Sequence, residues 1–315
     1  MKHLNTYITE YIVRKKLDKP IDSEDHFDYF PETKQELIKN IEECLNSKNY
    51  NLNCIDTSKI TDMSYLFKDI LLPHTDKIYF NKWDVSNVKD MSYMFANCYY
   101  INPDLSSWNV SNVEDMNRMF ENCESFEGKG LENWDISKVT NIKRMFFSCL
   151  SFNCNLGNWD VSSVTDMSFT FYNCKNFEGK GLENWEVVNV ENMICTFYNC
   201  INFNYDLSSW DVSNVVNAEG MFDGCENFDC DLSSWNVSKI RDASTMFYEC
   251  LNFTGKGLDK WKLSSIRNMN YMFCRCKKLD CDLSKWNIDK NVYMKKALKD
   301  CNLKNKPSWY KERNN

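Results

Sequence analysis

The chain has 315 residues, 43% of them hydrophobic and 26% charged, with a net charge of −7 and an isoelectric point near 5.2. An acidic surface of this kind repels phosphate backbones, which argues against a nucleic-acid partner. No run approaches the roughly 18 consecutive apolar residues of a membrane span.

In chain order, residues 1–17 place Leu4, Tyr7, Ile8, Tyr11 and Ile12 at helical spacing and end on Arg14, Lys15 and Lys16, which predicts an amphipathic N-terminal helix. This start lacks the apolar core and small-residue cleavage site of a secretory leader. Residues 18–31 hold two prolines and five acids and read as an acidic linker. Over 32–54, Thr33 and Glu36 frame a capping box ahead of Leu37, Ile41 and Leu45, so a capping helix is expected to seal the first repeat unit.

Residues 55–285 are built on one repeat. Tryptophans stand at 83, 108, 134, 159, 185, 210, 235, 261 and 286, giving units of 25 or 26 residues, a period that marks stacked supersecondary units. Three residues before each later Trp is a leucine (Leu105, Leu131, Leu156), and two after it an aliphatic side chain (Val110, Ile136, Val161), a short-strand pattern. Met91, Met94, Phe95 and Cys98 then fall at i, i+3, i+4 and i+7, which predicts two helical turns, with Asp90, Asp115, Asn141 and their equivalents as N-caps. The expected fold is α/β: a curved leucine-rich-repeat-like solenoid of about ten 25–28-residue units, each a short strand plus a short helix. Strands pack about 4.8 Å apart and helices about 8–10 Å, so the array should bend with its strands on the inside.

WDVSNV at 83–88, DMSYMF at 90–95 and DLSSW at 104–108 resemble the BspA-like leucine-rich-repeat family, in the variant common in mycoplasmas, spirochaetes and gut bacteria, over residues 32–300. Members are typically described as surface or adhesion proteins. The resemblance therefore implies binding, without chemistry, and by itself a cell-surface location.

Nine of the sixteen cysteines, Cys98, Cys123, Cys149, Cys174, Cys200, Cys225, Cys250, Cys276 and Cys301, share one column fifteen residues after each Trp. At helical spacing between units they stand too far apart to bridge, so a reduced ladder is expected; at strand spacing throughout, disulfides would become possible. Reduced thiols and the missing leader favour an intracellular or virion-associated protein. Cys274, Cys276 and Cys281 lack a fourth ligand at zinc-site spacing and a nearby His, so no metal is expected, and no cofactor.

The longer units carry G-K-G loops around Lys129, Lys180 and Lys256, which read as turns rather than phosphate loops because each leads into a strand. Residues 286–315 form a degenerate last repeat, a closing helix over 292–301 and a mobile tail from Asn302. His3, His26 and His74 lie outside the regular repeats and no acid, base and nucleophile converge, so the chain is read as no enzyme. The candidate binding face is the row after the Trp column, Asp84, Asn109, Asp135, Asp160, Glu186, Asp211 and Asn236, on the concave strand face, with Lys82, Ser107, Asn133, Asn158, Asn184, Ser209 and Ser234 on the other side of the Trp. The expected role is an interaction module for a protein or glycan partner; the alternative is a structural or assembly component, as in a phage particle, docked by its N-terminal helix.

Overall fold

The computed structural model describes residues 27–47, 49–70 and 78–311. The expected helix over 1–17, most of the acidic linker and all three histidines lie outside the described residues.

One α-helix is present among them, α1 (Lys34–Asn46), and its start is the capping box expected: the Thr33 hydroxyl accepts from the Glu36 amide while the Glu36 carboxylate accepts from the Thr33 amide. Its apolar side, Leu37, Ile41, Cys44 and Leu45, is buried. Lys34 reaches out to Asp62 at 2.9 Å, tying the helix to the first rung of the repeats.

Beyond α1 the units join in register. Nine consecutive parallel bridges run from Asp62 through Asp90, Asp115, Asn141, Asp166, Asn192, Asn217, Asp242 and Asn268 to Tyr293. One continuous core, from Leu37 to Tyr310, gathers the Trp, Leu, Val, Met, Phe and Cys columns. Each of these columns is buried because it recurs once per unit and meets its own copy in the next.

The segment after each bridge is not the helix its spacing predicts. In the unit of Trp159, the amides of Met167, Phe169, Phe171 and Asn173 donate to the carbonyls of Asn192, Ile194, Thr196 and Tyr198 in the following unit, at 2.6–2.9 Å. The intervening amides of Thr170, Tyr172 and Cys174 donate three residues back within the unit. Phe169 and Asn173 sit at φ 60°, and the same two positions are left-handed in unit after unit. Every second peptide is thereby turned along the stack, producing a ladder of turns at β spacing. A two-turn helix would leave four amides and four carbonyls unpaired at its ends and is marginal at that length. The ladder pairs them with the neighbours instead, offsetting a left-handed cost of about 1–2 kcal/mol per non-glycine residue. Residues 292–301 repeat this geometry, with Lys296 and Asp300 left-handed, so the closing helix is absent as well.

The expected N-caps are turn acceptors. Asp90, Asp115, Asn141, Asp166, Asn192, Asn217, Asp242 and Asn268 each accept, through the side-chain oxygen, the amide two residues on. Asn141, Asn192 and Asn268 also donate back to Asp115, Asp166 and Asp242 of the preceding unit.

Without helices, the reason for strands on the inside disappears. Side chains of one column stack on their copies in the next unit. Tyr172 and Tyr198 on the turn side are 4.4 Å apart, the central Phe171 and Phe197 5.6 Å, and Trp185 and Trp210 6.4 Å, with rings parallel to within 4°. The three columns thus stack with different ring offsets. The indoles tie successive units together: Trp159, Trp185, Trp210, Trp235, Trp261 and Trp286 each donate to a leucine carbonyl of the preceding unit at 2.7–3.0 Å.

The tail corrects another expectation. Trp309 stacks 5.7 Å from Trp286 and donates to the Leu283 carbonyl at 2.8 Å, so it extends the Trp column by one place. Its spacing, 23 residues after Trp286, hides it from a search at the 25-residue period.

Candidate binding surfaces

All sixteen cysteines are free. Wide helical spacing is not what keeps them apart, since the turn ladder brings successive units to β spacing. The thiols are occupied differently: Cys98, Cys123, Cys149, Cys174, Cys200, Cys225, Cys250 and Cys276 each donate to the carbonyl of a core Phe in the preceding unit, at 2.9–3.1 Å. Burial pushes these thiols far above the ordinary range, so they remain protonated donors. Cys276 is thus committed to the Phe247 carbonyl. Among the described residues no three His, Cys, Asp or Glu side chains are grouped as a metal would require.

The seven residues of the predicted face, Asp84, Asn109, Asp135, Asp160, Glu186, Asp211 and Asn236, form one exposed row beside the Trp column. Six of them accept the amide of the Ser two residues on, at 2.9–3.2 Å. Hydrogen bonds from Ser137 and Ser213 hold the Asp135 and Asp211 carboxyls below their usual range. The opposite row also has structural work: Ser107, Asn158, Asn184, Ser209 and Ser234 donate to carbonyls of the preceding unit. In the G-K-G loops, Gly130, Gly181 and Gly257 lie at φ 88–94°. Lys129 and Lys256 pair with Asp104 and Asp231 of the preceding unit at 2.6 and 3.2 Å. The Lys129 partner draws Asp104 down to about 2.

The turn side carries side chains that no motif of the repeat singles out. Ten and thirteen residues after each Trp, two adjoining columns hold a run of rings and cations. Tyr65 and Tyr93 stack at 4.5 Å with the Lys68 ammonium 5.3–5.5 Å from both centroids. Arg118 lies over Tyr93, and Arg118 and Arg144 share Glu121 at 3.1 and 3.2 Å. Arg144 sits 4.8 Å from Phe147 and 4.6 Å from Phe169, and Phe147, Tyr172 and Tyr198 continue the stack at 4.4 Å intervals. The next unit replaces the ring with Asp223, whose carboxyl burial raises to about 7. A signal for this face existed in the sequence: Asn, tolerant of left-handed φ, precedes the column Cys at Asn97, Asn122, Asn173 and Asn199, and Gly does so at Gly224.

Against this geometry, a family model described as "Mycoplasma protein of unknown function, DUF285" matches the chain at residues 35–155, 121–229, 165–256 and 251–310. No curated protein and no solved structure matches. Among the described residues no helix is long and apolar enough to cross a membrane.

Proposed function

The chain belongs to this Mycoplasma family of unknown function, DUF285, and on that premise we propose that it is a non-enzymatic repeat protein, a solenoid that keeps the leucine-rich-repeat columns and serves as a protein interaction module. The observation that carries this reading is the turn-side column ten residues after the Trp. Tyr65, Tyr93, Arg118, Arg144, Phe169 and Tyr271 are all held at φ 54–60°, where bulky residues are costly and glycine or asparagine would suffice for folding. Columns that fold the chain are nearly uniform from unit to unit; this one changes between ring, cation, thiol and hydroxyl. Strain retained for varied, surface-reaching side chains favours recognition over packing, and aromatic and arginine side chains are the groups that anchor protein interfaces.

Two sets of substitutions test it against a partner captured from the native host. Replacing Tyr93 and Phe169 of that column by Ser is expected to weaken binding at least tenfold, whereas charge reversal at Asp135, Asp160 and Asp211 addresses the Trp-edge row. If only the edge set weakens binding, recognition belongs to the Trp-edge row; if neither does while both variants stay folded, neither face is the recognition surface.

A further inference from the structure

On the third side of the stack, where each unit returns from turn to Trp, an open groove of about 500 Å³ spans four consecutive units. It lies seventeen and nineteen residues after the Trp, flanking the buried loop rings Phe203, Phe228 and Phe253. We propose that this groove is a binding site for an uncharged, hydroxyl-rich oligosaccharide. It is separate from the turn-side face and does not depend on it.

The lining is polar and already ordered. Asn252 donates to the Asn227 side-chain oxygen at 3.1 Å, Asp229 donates its amide to Asn204 at 2.9 Å, and Thr254 donates both amide and hydroxyl to Asp229 at 2.8 and 2.6 Å. These bonds fix the side chains before a ligand arrives, lowering the ordering cost of binding. What remains directed outward alternates in kind: the amide hydrogens of Asn202 and Asn204, the second carboxylate oxygen of Asp229, and the ammonium of Lys278.

That set selects the ligand class. Asp229 and Lys278 cancel in charge, so neither a polyanion nor a polycation is favoured over a neutral chain. Every lining residue is polar or charged, so an apolar peptide side chain would find no apolar residue to pack on. Hydroxyls, which donate and accept at one atom, match a row of mixed donors and acceptors. The row also recurs at a suitable interval, since successive units stand at the β spacing of about 4.8 Å, on the order of one sugar residue per unit.

The test uses the full chain and defined neutral hexasaccharides, of β-1,4-linked glucose, β-1,4-linked N-acetylglucosamine and α-1,4-linked glucose, by calorimetry and by amide shift mapping. At least one should bind and shift the amides of residues 202–204, 227–229 and 252–254. Asn202→Ala with Lys278→Ala, which removes side chains with no hydrogen-bond partner among the described residues, should weaken it about tenfold; Glu186→Ala on the Trp edge should leave it unchanged. Absence of binding by all three sugars, shifts confined to another face, or equal affinity in the double variant would overturn the proposal.

Discussion

Asp223 shows how one side chain can set the pH response of such a stack. Burial raises its carboxyl to about 7, with Glu249 adding in the same direction and the Thr245 hydrogen bond opposing. An unfolded Asp titrates near 4, so the folded state binds this proton more tightly. The contribution is fully present below about pH 4 and is lost as pH rises through about 7, a change on the order of a few kcal/mol. The urea midpoint of the native chain should therefore fall between pH 4.5 and 7.5, and Asp223→Asn should flatten that slope; an identical slope in the variant would remove Asp223 as its source. The thiols give a second residue-level test. Cys98, Cys123, Cys149, Cys174, Cys200, Cys225, Cys250 and Cys276 are buried donors, so a thiol reagent should label them only on unfolding, while half-buried Cys54, Cys195, Cys281 and Cys301 react first. Early labelling of the column would contradict the packing described.

At the scale of the element, the G-K-G loop is where glycine is required. A Cβ at Gly130 would stand 2.3 Å from the Ser106 nitrogen, at φ 94°. Gly130→Ala is expected to cost about 2–4 kcal/mol in denaturant unfolding. Gly157→Ala, outside the left-handed region and meeting Asn184 at 3.1 Å, should cost about 1 kcal/mol or less. The loop and the buried columns are legible in the sequence because burial follows the repeat period directly: Trp159, Leu156, Phe171 and Cys174 can be placed in the core without knowing their backbone. The turn ladder is not. Met91, Met94, Phe95 and Cys98 satisfy a helical stripe and a chain of turns equally well, since both return an apolar residue to the core every three or four positions. Only the left-handed Asn and Gly positions separate the two. The consequence carries upward, because the bend expected for the array was deduced from helix width, and that premise goes with the helices.

For the whole molecule, stability is shared between neighbours, since each unit's core and amides are completed by the next. Excising one whole unit, residues 186–210, rejoins Trp185 to Asp211 in register and should leave a cooperative fold that melts a few degrees lower. Excising half a unit breaks every column at once and should abolish cooperative melting. Beneath all of this is the backbone ladder between units. In a deuterated sample it can be read from trans-hydrogen-bond couplings between amide nitrogens and acceptor carbonyl carbons. A coupling from Phe171 to Thr196, one unit ahead, is the result predicted; a coupling from Phe171 to Met167 instead, four residues back in its own unit, would mean a helix and would contradict the ladder.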